Sequence, residues 1–281
     1  MRNTTKKIIT LAFIALFAIT ALAGCGNTAD SGNTNSESET VTLKVGASIT
    51  PHSEILEQAK PILAEQGVNL EIVQIEDSVT PNTGLAEGSL DANFFQHQPY
   101  LNDFNSENGT DLVSVGAVHY EPFGIYAGKT TKLSDLPDGA TVAVPNNTTN
   151  EARALLLLQQ EGIITLKEGA DIRATIQDIA ENPKNLQFTE IAPEQLVNAL
   201  PDVEIAVING NYAIEGGLKV KDALAVESDQ GVAAKTYENI LVVQKKDENN
   251  AAVKKLIDVL QSDTIRSFIE ETYGGAVVPI K

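Results

Sequence analysis

The sequence predicts an α/β protein whose core contains parallel β-sheet. Residues 41–47 alternate between apolar and polar side chains as a strand does, and residues 70–75 form a second strand-like run. Between them, residues 54–65 carry apolar side chains at helical spacing. A strand, a helix and a strand in this order form a β-α-β unit, in which the two strands lie parallel. The roughly 240 residues from position 41 onward suffice for one large domain or for two lobes.

Residues 1–24 have the pattern of an export signal and not of a fold element. They begin with positive charges and continue as an apolar run over 8–23, which is shorter than the ~20 residues that span a membrane. Leu22-Ala23-Gly24-Cys25 resembles a bacterial lipobox, in which the Cys is acylated and becomes the N-terminus of the mature protein. An ordinary signal peptide with an incidental Cys is the alternative. We expect a lipid on Cys25, the only Cys of the chain.

The mature chain is strongly acidic. Removal of residues 1–24 takes away three cations, which leaves 17 Lys and Arg against 38 Asp and Glu, a net charge of −21. Nucleic-acid binding needs clustered cations, so we expect no nucleic-acid partner. The negative charge also opposes contact with an anionic membrane surface, which leaves the lipid on Cys25 as the membrane attachment. Residues 25–40 are rich in Asn, Ser and Thr and are expected to form a flexible tether.

Residues 91–101 gather aromatic side chains in a chain that has no Trp and three His. Pro99 lacks a backbone N–H and disfavours helical geometry in the residue before it, so the span is predicted as a strand end followed by a helix start. Successive side chains of a strand point to opposite faces, so only one of Phe94 and Phe95 would enter the core. In the alternative interpretation, Phe94 and Phe95 are both core residues and His97 is a surface histidine.

Three further strands end beside polar side chains. Residues 112–118 lead into His119, residues 141–145 precede an amide-rich segment, and residues 204–208 are followed by Asn209. In open α/β sheets, ligands bind outside the carboxyl ends of the strands. We therefore expect a ligand site near these strand ends.

An apolar helix begins after the strand at 141–145. Helix capping explains amides and hydroxyls such as Thr149 and Asn150 at its start. Capping does not explain Arg153, whose planar guanidinium is a two-pronged donor. Because a helix N-terminus also favours negative charge, Arg153 is a candidate anion-binding residue.

The remaining elements continue the α/β pattern. The periodicity predicts strands at 186–190 and 237–244, helices at 176–179, 193–200, 251–260 and 265–270, and an extended segment at 276–280. The sequence contains no internal repeat.

In five segments the sequence resembles the NlpA-type lipoproteins, the methionine-binding receptors of bacterial ABC importers. The matching segments are DANFFQHQPYL (91–101), VPNNTTNEARAL (144–155), ENPKNL (181–186), AVINGNYA (206–213) and GGAV (274–277). They extend over nearly the whole mature chain. The resemblance implies a two-lobed, type II-like periplasmic-binding-protein fold with a ligand cleft between the lobes. Lobe 1 is expected at 41–122, completed by 236–281, and lobe 2 at 123–235.

The resemblance also implies which side chains contact the ligand. Carried over position by position, they are Phe95, His97, Tyr100, Arg153, Asn209 and Asn239. Phe94, next to Phe95 along an alternating strand, should then point into the core of the lobe. The resemblance implies that Arg153 holds the carboxylate of a zwitterionic amino acid and that the aromatic rings pack against a thioether. Ser78 stands where methionine-selective members of the family have a Tyr. The loss of that aromatic ring would widen the pocket. The expected ligand is L- or D-methionine, a closely related amino acid or a Met-containing dipeptide.

The function implied by the resemblance is that of a lipid-anchored solute-binding protein on the outer face of the cytoplasmic membrane. Its expected partners are an ABC permease and its ATPase, and no enzyme activity, metal or cofactor is expected. One alternative is a surface adhesin without a transport role. Another is a hydrolase that uses His97 or His119 as a base beside Glu121 or Asp91, although the sequence has no nucleophile elbow. Otherwise His52 and His119 are expected to be structural or loop residues.

Overall fold

The structure is a computed structural model that describes residues 40–228 and 232–280. The predicted export signal at 1–24, the predicted lipidation site Cys25 and the tether as far as residue 39 lie outside the described residues.

Strands and helices alternate along most of the described chain. The strands are β1 (Val41–Ala47), β2 (Val68–Gln74), β3 (Ala92–His97), β4 (Val113–Tyr120), β5 (Gly124–Ala127), β6 (Thr141–Pro145), β7 (Thr165–Leu166), β8 (Ile179–Glu181), β9 (Gln187–Ile191), β10 (Ile205–Ile208), β11 (Ala225–Val226), β12 (Glu238–Val243) and β13 (Val278–Pro279). The helices are α1 (Glu54–Glu65), α2 (Thr80–Glu87), α3 (Gln98–Asn108), α4 (Thr148–Gln160), α5 (Leu196–Ala199), α6 (Gly210–Glu215), α7 (Val232–Thr236), α8 (Ala251–Leu260) and α9 (Asp263–Tyr273).

The first sheet has the strand order β13-β4-β12-β3-β1-β2 within the described ranges. Strand β1 pairs in parallel with β2 and with β3, which confirms the β-α-β unit predicted at the start of the chain. The late strand β12 lies antiparallel to both β3 and β4, so the sheet is mixed. Helix α1 packs the fully buried Ile55 and Leu56 against this sheet, together with Leu256 of α8 and Ile265 of α9.

The second sheet has the order β11-β5-β10-β6-β9. Strands β10, β6 and β9 are parallel, and β5 is antiparallel to β10. Helix α4 contributes Leu155 and Leu158 to a separate core with Val142 and Val207. Because each sheet has its own hydrophobic core, the described chain has two lobes, which confirms the expected two-lobed α/β fold. Here lobe 1 denotes the part built on the first sheet, and lobe 2 the part built on the second.

The chain leaves lobe 1 at the end of β4 and enters lobe 2 at β5, through Glu121-Pro122-Phe123. It is back in lobe 1 at β12. The connection after β4 places Glu121 and Phe123 between the two sheets, where the carboxyl end of β10 also lies. No helix among the described residues is long and apolar enough to span a membrane.

Two local predictions differ from the structure. The helix expected at 176–179 is wrong, because Ile176–Asp178 form one 3-10 turn and β8 begins at Ile179. The Asp178 carboxylate accepts the backbone N–H of Thr175 at 3.0 Å, which closes this single turn. The helical segment expected at 265–270 is the middle of the longer α9.

Candidate ligand-binding site

A cleft of about 450 Å³, which includes space open to solvent, is lined by residues of both lobes. All six residues predicted to contact a ligand line this cleft: Phe95, His97, Tyr100, Arg153, Asn209 and Asn239. The cleft also has wall residues that the sequence did not single out as ligand contacts, among them Gln96, Glu121, Phe123, Asn147 and Asn150.

The two adjacent Phe residues of β3 have different environments. Phe94 is fully buried in the core of lobe 1, and its ring packs edge-on against the imidazole of His52 at a centroid distance of 4.7 Å. Phe95 is half-buried in the cleft wall, edge-on to Tyr100 at 6.0 Å. This confirms the inward direction of Phe94, and the interpretation of both rings as core residues is wrong.

A β-bulge gives Phe95 its position. In the pairing of β3 with β12, Ile240 is opposite Gln96 whereas Leu241 is opposite Phe94, so Phe95 is the extra residue. A bulge redirects the side chains around it. Strict alternation alone would have placed Gln96 with Phe94, away from the cleft, yet Gln96 also lines the cleft.

His97 joins the two lobes. Its Nδ1 accepts the backbone N–H of Tyr100 at 3.2 Å at the start of α3, so the ring proton lies on Nε2. That Nε2–H donates to Oδ1 of Asn150 in lobe 2, at 2.9 Å. Burial, together with the positive charge of Arg153, lowers the pKa of His97 to about 3, so the ring is neutral at pH 7. With 5% of its surface exposed, His97 is not a surface histidine.

The start of α4 differs from the capping expectation. Asn147 is the cap, because its side chain accepts the backbone N–H of Asn150 at 3.3 Å. The side chain of Asn150 is therefore free to bond to His97. The hydroxyl of Thr149 and the amide nitrogen of Asn147 are buried without a hydrogen-bond partner among the described residues. Of these two residues, Asn147 lines the cleft, so its amide nitrogen is within reach of a ligand there.

Arg153 forms a buried ion pair with Glu227. Its Nη2 lies 2.6 Å from Oε2 of Glu227, and its Nε lies 2.9 and 3.0 Å from the two carboxylate oxygens. Nη2 also donates to the backbone oxygen of Glu121 at 2.8 Å. The guanidinium carbon lies 3.9 Å from the centroid of the Phe123 ring and 4.4 Å from that of Tyr237. The sequence analysis did not find Glu227, which is 74 residues away and belongs to no recognisable motif.

The carboxylate of Glu227 is stabilised in its charged form. Burial acts to raise its pKa, but the Arg153 charge and the hydrogen bonds from Arg153 and the backbone of Phe123 outweigh burial, so the pKa lies below the ordinary value. Nη1 of Arg153 forms no hydrogen bond to another described residue. The guanidinium therefore retains one donor group that is not engaged by Glu227.

The two predicted Asn residues occupy opposite lobes. Asn209 follows β10 directly, and its Oδ1 is buried without a partner in the described part of the chain. Asn239 lies on β12, where it is opposite His97 of β3 and His119 of β4. Its Oδ1 accepts Nε2 of His52 at 3.0 Å. The register of β12 thus brings Asn239 next to His97 and His119.

His52, His119 and Glu121 form a buried cluster that no sequence pattern indicated. His52 lies in a helical turn at Ile49–Ser53 and His119 lies in β4, so neither is a loop residue. Both imidazoles are fully buried, and Nε2 of His119 lies 2.6 Å from Oε1 of Glu121. The His119–Glu121 pair named in the hydrolase alternative therefore exists, while the Asp91 carboxylate accepts the backbone N–H of Lys44 elsewhere. The three ligand atoms of the cluster lie within 4.8 Å of one another, a spacing that a metal ion could use.

Ser78, the departure from the family pattern, also lines the cleft. Its backbone oxygen accepts the hydroxyl of Tyr100 at 2.7 Å. This bond holds the Tyr100 ring against the cleft and leaves the small Ser78 side chain where a larger one would narrow the space.

Comparisons with known proteins agree with this architecture. The model of the NlpA lipoprotein family matches residues 43–281. The methionine-binding lipoprotein MetQ of Bacillus subtilis is 43% identical over 98% of this chain and 99% of its own length. A nutrient-binding protein from Burkholderia cenocepacia, solved bound to methionine, has a TM-score of 0.81 and 43% identity, covering 85% of this chain and all of that one.

A further solved structure, the lipoprotein Tp32 from Treponema pallidum, has a TM-score of 0.82 and 40% identity, covering 86% of this chain and all of that one. The shared two-lobed fold, the full-length identity to a methionine-binding relative and the family match over nearly all residues after the N-terminal segment lead to one assignment. The chain belongs to the NlpA lipoprotein family.

Proposed function

We propose that this protein is a lipid-anchored solute-binding protein that captures methionine, or a closely related amino acid, and delivers it to an ABC importer. The observation that carries the proposal is the composition of the cleft. Its lining includes the Arg153 guanidinium, polar groups of Asn147 and Asn209 without a partner among the described residues, and the Phe95 and Tyr100 rings. The methionine-bound relative of the same fold supports this ligand class.

The carboxylate of the ligand would meet the free Nη1 group of Arg153, with the Asn147 amide as a further donor. A charge-assisted bond to guanidinium is stronger than a neutral one, so Arg153 would orient the ligand. The thioether would lie against Phe95 and Tyr100, because sulfur packs favourably at the edges of aromatic rings. Asn209 and Asn239 would bound the cleft on its two sides.

The site also explains why the ligand would be small. His97 and Asn150 join the lobes across the cleft at 2.9 Å, and the Tyr212 hydroxyl of lobe 2 donates to the backbone oxygen of Glu76 in lobe 1 at 3.3 Å. These cross-lobe bonds close the space around the ligand. The Ser78 position leaves room for a ligand somewhat larger than methionine, such as a Met-containing dipeptide.

The proposal includes the membrane anchor and the lobe boundaries. Residues 1–24 would be removed as an export signal, Cys25 would carry lipid, and residues 25–40 would be the tether on the outer face of the cytoplasmic membrane. Lobe 1 would comprise 41–122 and 236–281, and lobe 2 would comprise 123–235. Mass spectrometry of the protein from its membrane would give an acylated N-terminal peptide that Cys25→Ser abolishes; an unmodified Cys25 would contradict the anchor.

Calorimetric titration tests the ligand. Protein freed of ligand by reversible unfolding would be titrated with L-methionine, D-methionine and Met-containing dipeptides, after circular dichroism has verified refolding. We expect saturable binding of one molecule of at least one of these compounds. Folded protein that gives no heat with any of them, and no thermal stabilisation either, would contradict the proposal.

A further inference from the structure

The Glu121 carboxylate lies in the cleft wall beside Arg153. Its side chain is 5% exposed, and Oε2 accepts the backbone N–H of Asn211 at 3.0 Å. Gly210 makes this contact available: a Cβ there would lie 2.8 Å from the Cβ of Glu121 and 3.1 Å from the backbone oxygen of Pro122. The absence of a side chain at 210 thus lets α6 approach the carboxylate closely.

Two neutral imidazoles support the other side of this carboxylate. His119 Nε2 is hydrogen-bonded to Oε1 at 2.6 Å, and His52 Nε2 lies 3.5 Å from the same oxygen while it donates to Asn239. Ser48 Oγ lies 3.1 Å from the remaining nitrogen of His52, which fixes the ring. Burial lowers the pKa of His52 to about 4 and that of His119 to about 3. The neutral imidazoles therefore orient the carboxyl group of Glu121 at pH 7 and bring no positive charge to it.

The Glu121 side chain has no cationic side chain in the cleft to pair with. Arg153 and Glu227 offset each other, because the guanidinium bonds to that carboxylate through Nε and Nη2. Glu121 then remains as a carboxylate buried at the cleft without an ion-pair partner of its own, other than neutral His. A buried carboxylate without compensation is costly, and burial raises the pKa of Glu121 for this reason. The ammonium group of the ligand would place a positive charge directly beside this carboxylate.

We propose that Glu121 is the acceptor for the ammonium group of the ligand, and that His119 and His52 are positioning residues that hold its carboxylate for this contact. This inference rests on the proposed function. The backbone oxygen of Glu121 already accepts Nη2 of Arg153 at 2.8 Å, so the cation and the carboxylate that meet the ligand are neighbours. An α-amino acid carries its carboxylate and ammonium groups on the same carbon atom, so the two groups need partners that lie next to each other.

A divalent metal ion is the other cation that this cluster could hold. The distances within the cluster indicate direct hydrogen bonds between the side chains and not ligation of a metal ion. Zinc takes His nitrogen and carboxylate oxygen at ~2.0–2.2 Å in tetrahedral geometry, so two of its ligand atoms lie about 3.3 Å apart. Nε2 of His119 is 2.6 Å from Oε1 of Glu121, a hydrogen-bond distance, and Nε2 of His52 is already engaged by Asn239. The hydrogen bonds therefore account for both imidazoles.

A series of ligands tests the ammonium contact on the wild-type protein first. L-methionine would be compared with its deamino analogue, 4-(methylthio)butanoate, and with its decarboxylated analogue, 3-(methylthio)propylamine, by calorimetry. We expect the deamino analogue to bind about 30-fold or more weakly than methionine, since one partner of a buried charge pair is absent. Equal affinity of methionine and the deamino analogue would overturn the inference without any variant.

Glu121→Gln is the second arm, with Glu71→Gln as the control that removes the same charge from the exposed pair with Lys44. We expect Glu121→Gln to weaken methionine binding and to abolish the preference for methionine over the deamino analogue, whereas Glu71→Gln retains both. A folded Glu121→Gln protein that retains the full preference would overturn the inference. If no amino acid binds even the wild type, the proposed function fails instead.

His119 and the metal ion are tested in the same assay. His119→Phe removes the donor to Glu121 and should reduce the preference for methionine, whereas His119→Gln keeps an N–H donor and should restore most of it. Unchanged preference in folded His119→Phe would remove His119 as a positioning residue. Wild type treated with chelator should bind methionine with unchanged affinity before and after addition of Zn²⁺; a requirement for Zn²⁺ would overturn the ammonium assignment.

Discussion

Arg153 and Glu227 form a buried ion pair in which Nη2 lies 2.6 Å from Oε2, and Nε lies within 3.0 Å of both carboxylate oxygens. Glu227 also accepts the hydroxyl of Tyr120 at 2.7 Å and the backbone N–H of Phe123 at 3.0 Å. These contacts hold the guanidinium in one orientation before any ligand arrives. Preorganisation of this kind lowers the cost of binding, because no side chain has to be ordered when the ligand enters.

Glu227→Gln should destabilise the protein. The substitution leaves the Arg153 charge buried without its counter-charge, and the loss of one partner of a buried pair costs about 3–5 kcal/mol. Urea denaturation at pH 7 measures the change in the free energy of unfolding. Glu248→Gln is the matched control, because it breaks an exposed pair with Lys245 and should change the same quantity by less than about 1 kcal/mol. Equal effects of the two substitutions would contradict a stabilising role for the buried pair.

Arg153→Ala should weaken the binding of methionine by roughly 2–5 kcal/mol, since it removes the cation proposed to meet the carboxylate. The double variant with Glu227→Gln separates binding from stability. We expect it to recover part of the free energy of unfolding, because no unpaired charge stays buried, but none of the affinity. Arg173→Ala, at an exposed Arg paired with Asp103, is the control. If calorimetry shows that folded Arg153→Ala binds methionine with wild-type affinity, Arg153 is not part of the binding site.

Phe94→Ala and Phe95→Ala should have opposite consequences although the residues are adjacent. Phe94 is fully buried in the lobe core, and its truncation should lower the free energy of unfolding by about 3–5 kcal/mol. Phe95 is half-buried in the cleft wall, so its truncation should change stability less and should weaken binding by loss of the contact with the ligand. Denaturation and calorimetry on both variants are decisive, and the reverse pattern would contradict the assigned directions of the rings.

Stability should decrease as the pH falls below 6.5. The pKa values of His52, His97 and His119 are lowered from 6.5 to about 4, 3 and 3 in the folded protein. Between about pH 4 and 6.5 the unfolded chain therefore binds more protons than the folded one, and the free energy of unfolding rises with pH. This stability is fully present above pH 6.5 and is lost progressively towards acid.

The variant His52→Gln measures the share of one histidine. Each buried His contributes up to about 1.4 kcal/mol per pH unit to the slope, so the variant should depend on pH less steeply than the wild type by about that amount between pH 6 and 4.5. The raised pKa of Glu121 acts in the opposite sense, since its stabilising effect is present at acid pH and is lost as pH rises. Parallel slopes for wild type and variant would contradict a neutral, buried His52.

Local patterns predicted much of the fold. The β-α-β start appears as β1, α1 and β2, the helix at 251–260 coincides with α8, and Pro99 lies in the first turn of α3. These features follow from side-chain periodicity and from the missing N–H of Pro, which act over a few residues. The mixed direction of the first sheet was not predictable in this way, because β12 enters it only after the chain has returned from lobe 2.

In the candidate site, too, the residues within continuous motifs were predictable and the residues brought in by long-range contacts were not. The motif 91–101 and the helix start at 146–153 are continuous in sequence, so they identified Phe95, His97 and Arg153 as cleft residues. In the sequence, Glu121 is recognisable only as a possible partner of a catalytic base, and Glu227 belongs to no motif. Both residues belong to the site because they bond to Arg153, although Glu121 is 32 residues and Glu227 is 74 residues away from it in sequence.

By itself, the sequence determined the α/β class, the family and six of the residues that line the cleft, because motifs and periodicity are properties of neighbouring residues. Tertiary structure decided which charges are paired and which are not. Glu227 bonds to Nε and Nη2 of Arg153, and the bulge opposite Ile240 and Leu241 brings Gln96 to the cleft as well as Phe95. Both depend on the cross-strand register and on burial, which bring distant residues together in a low-dielectric environment where an unpaired charge is costly.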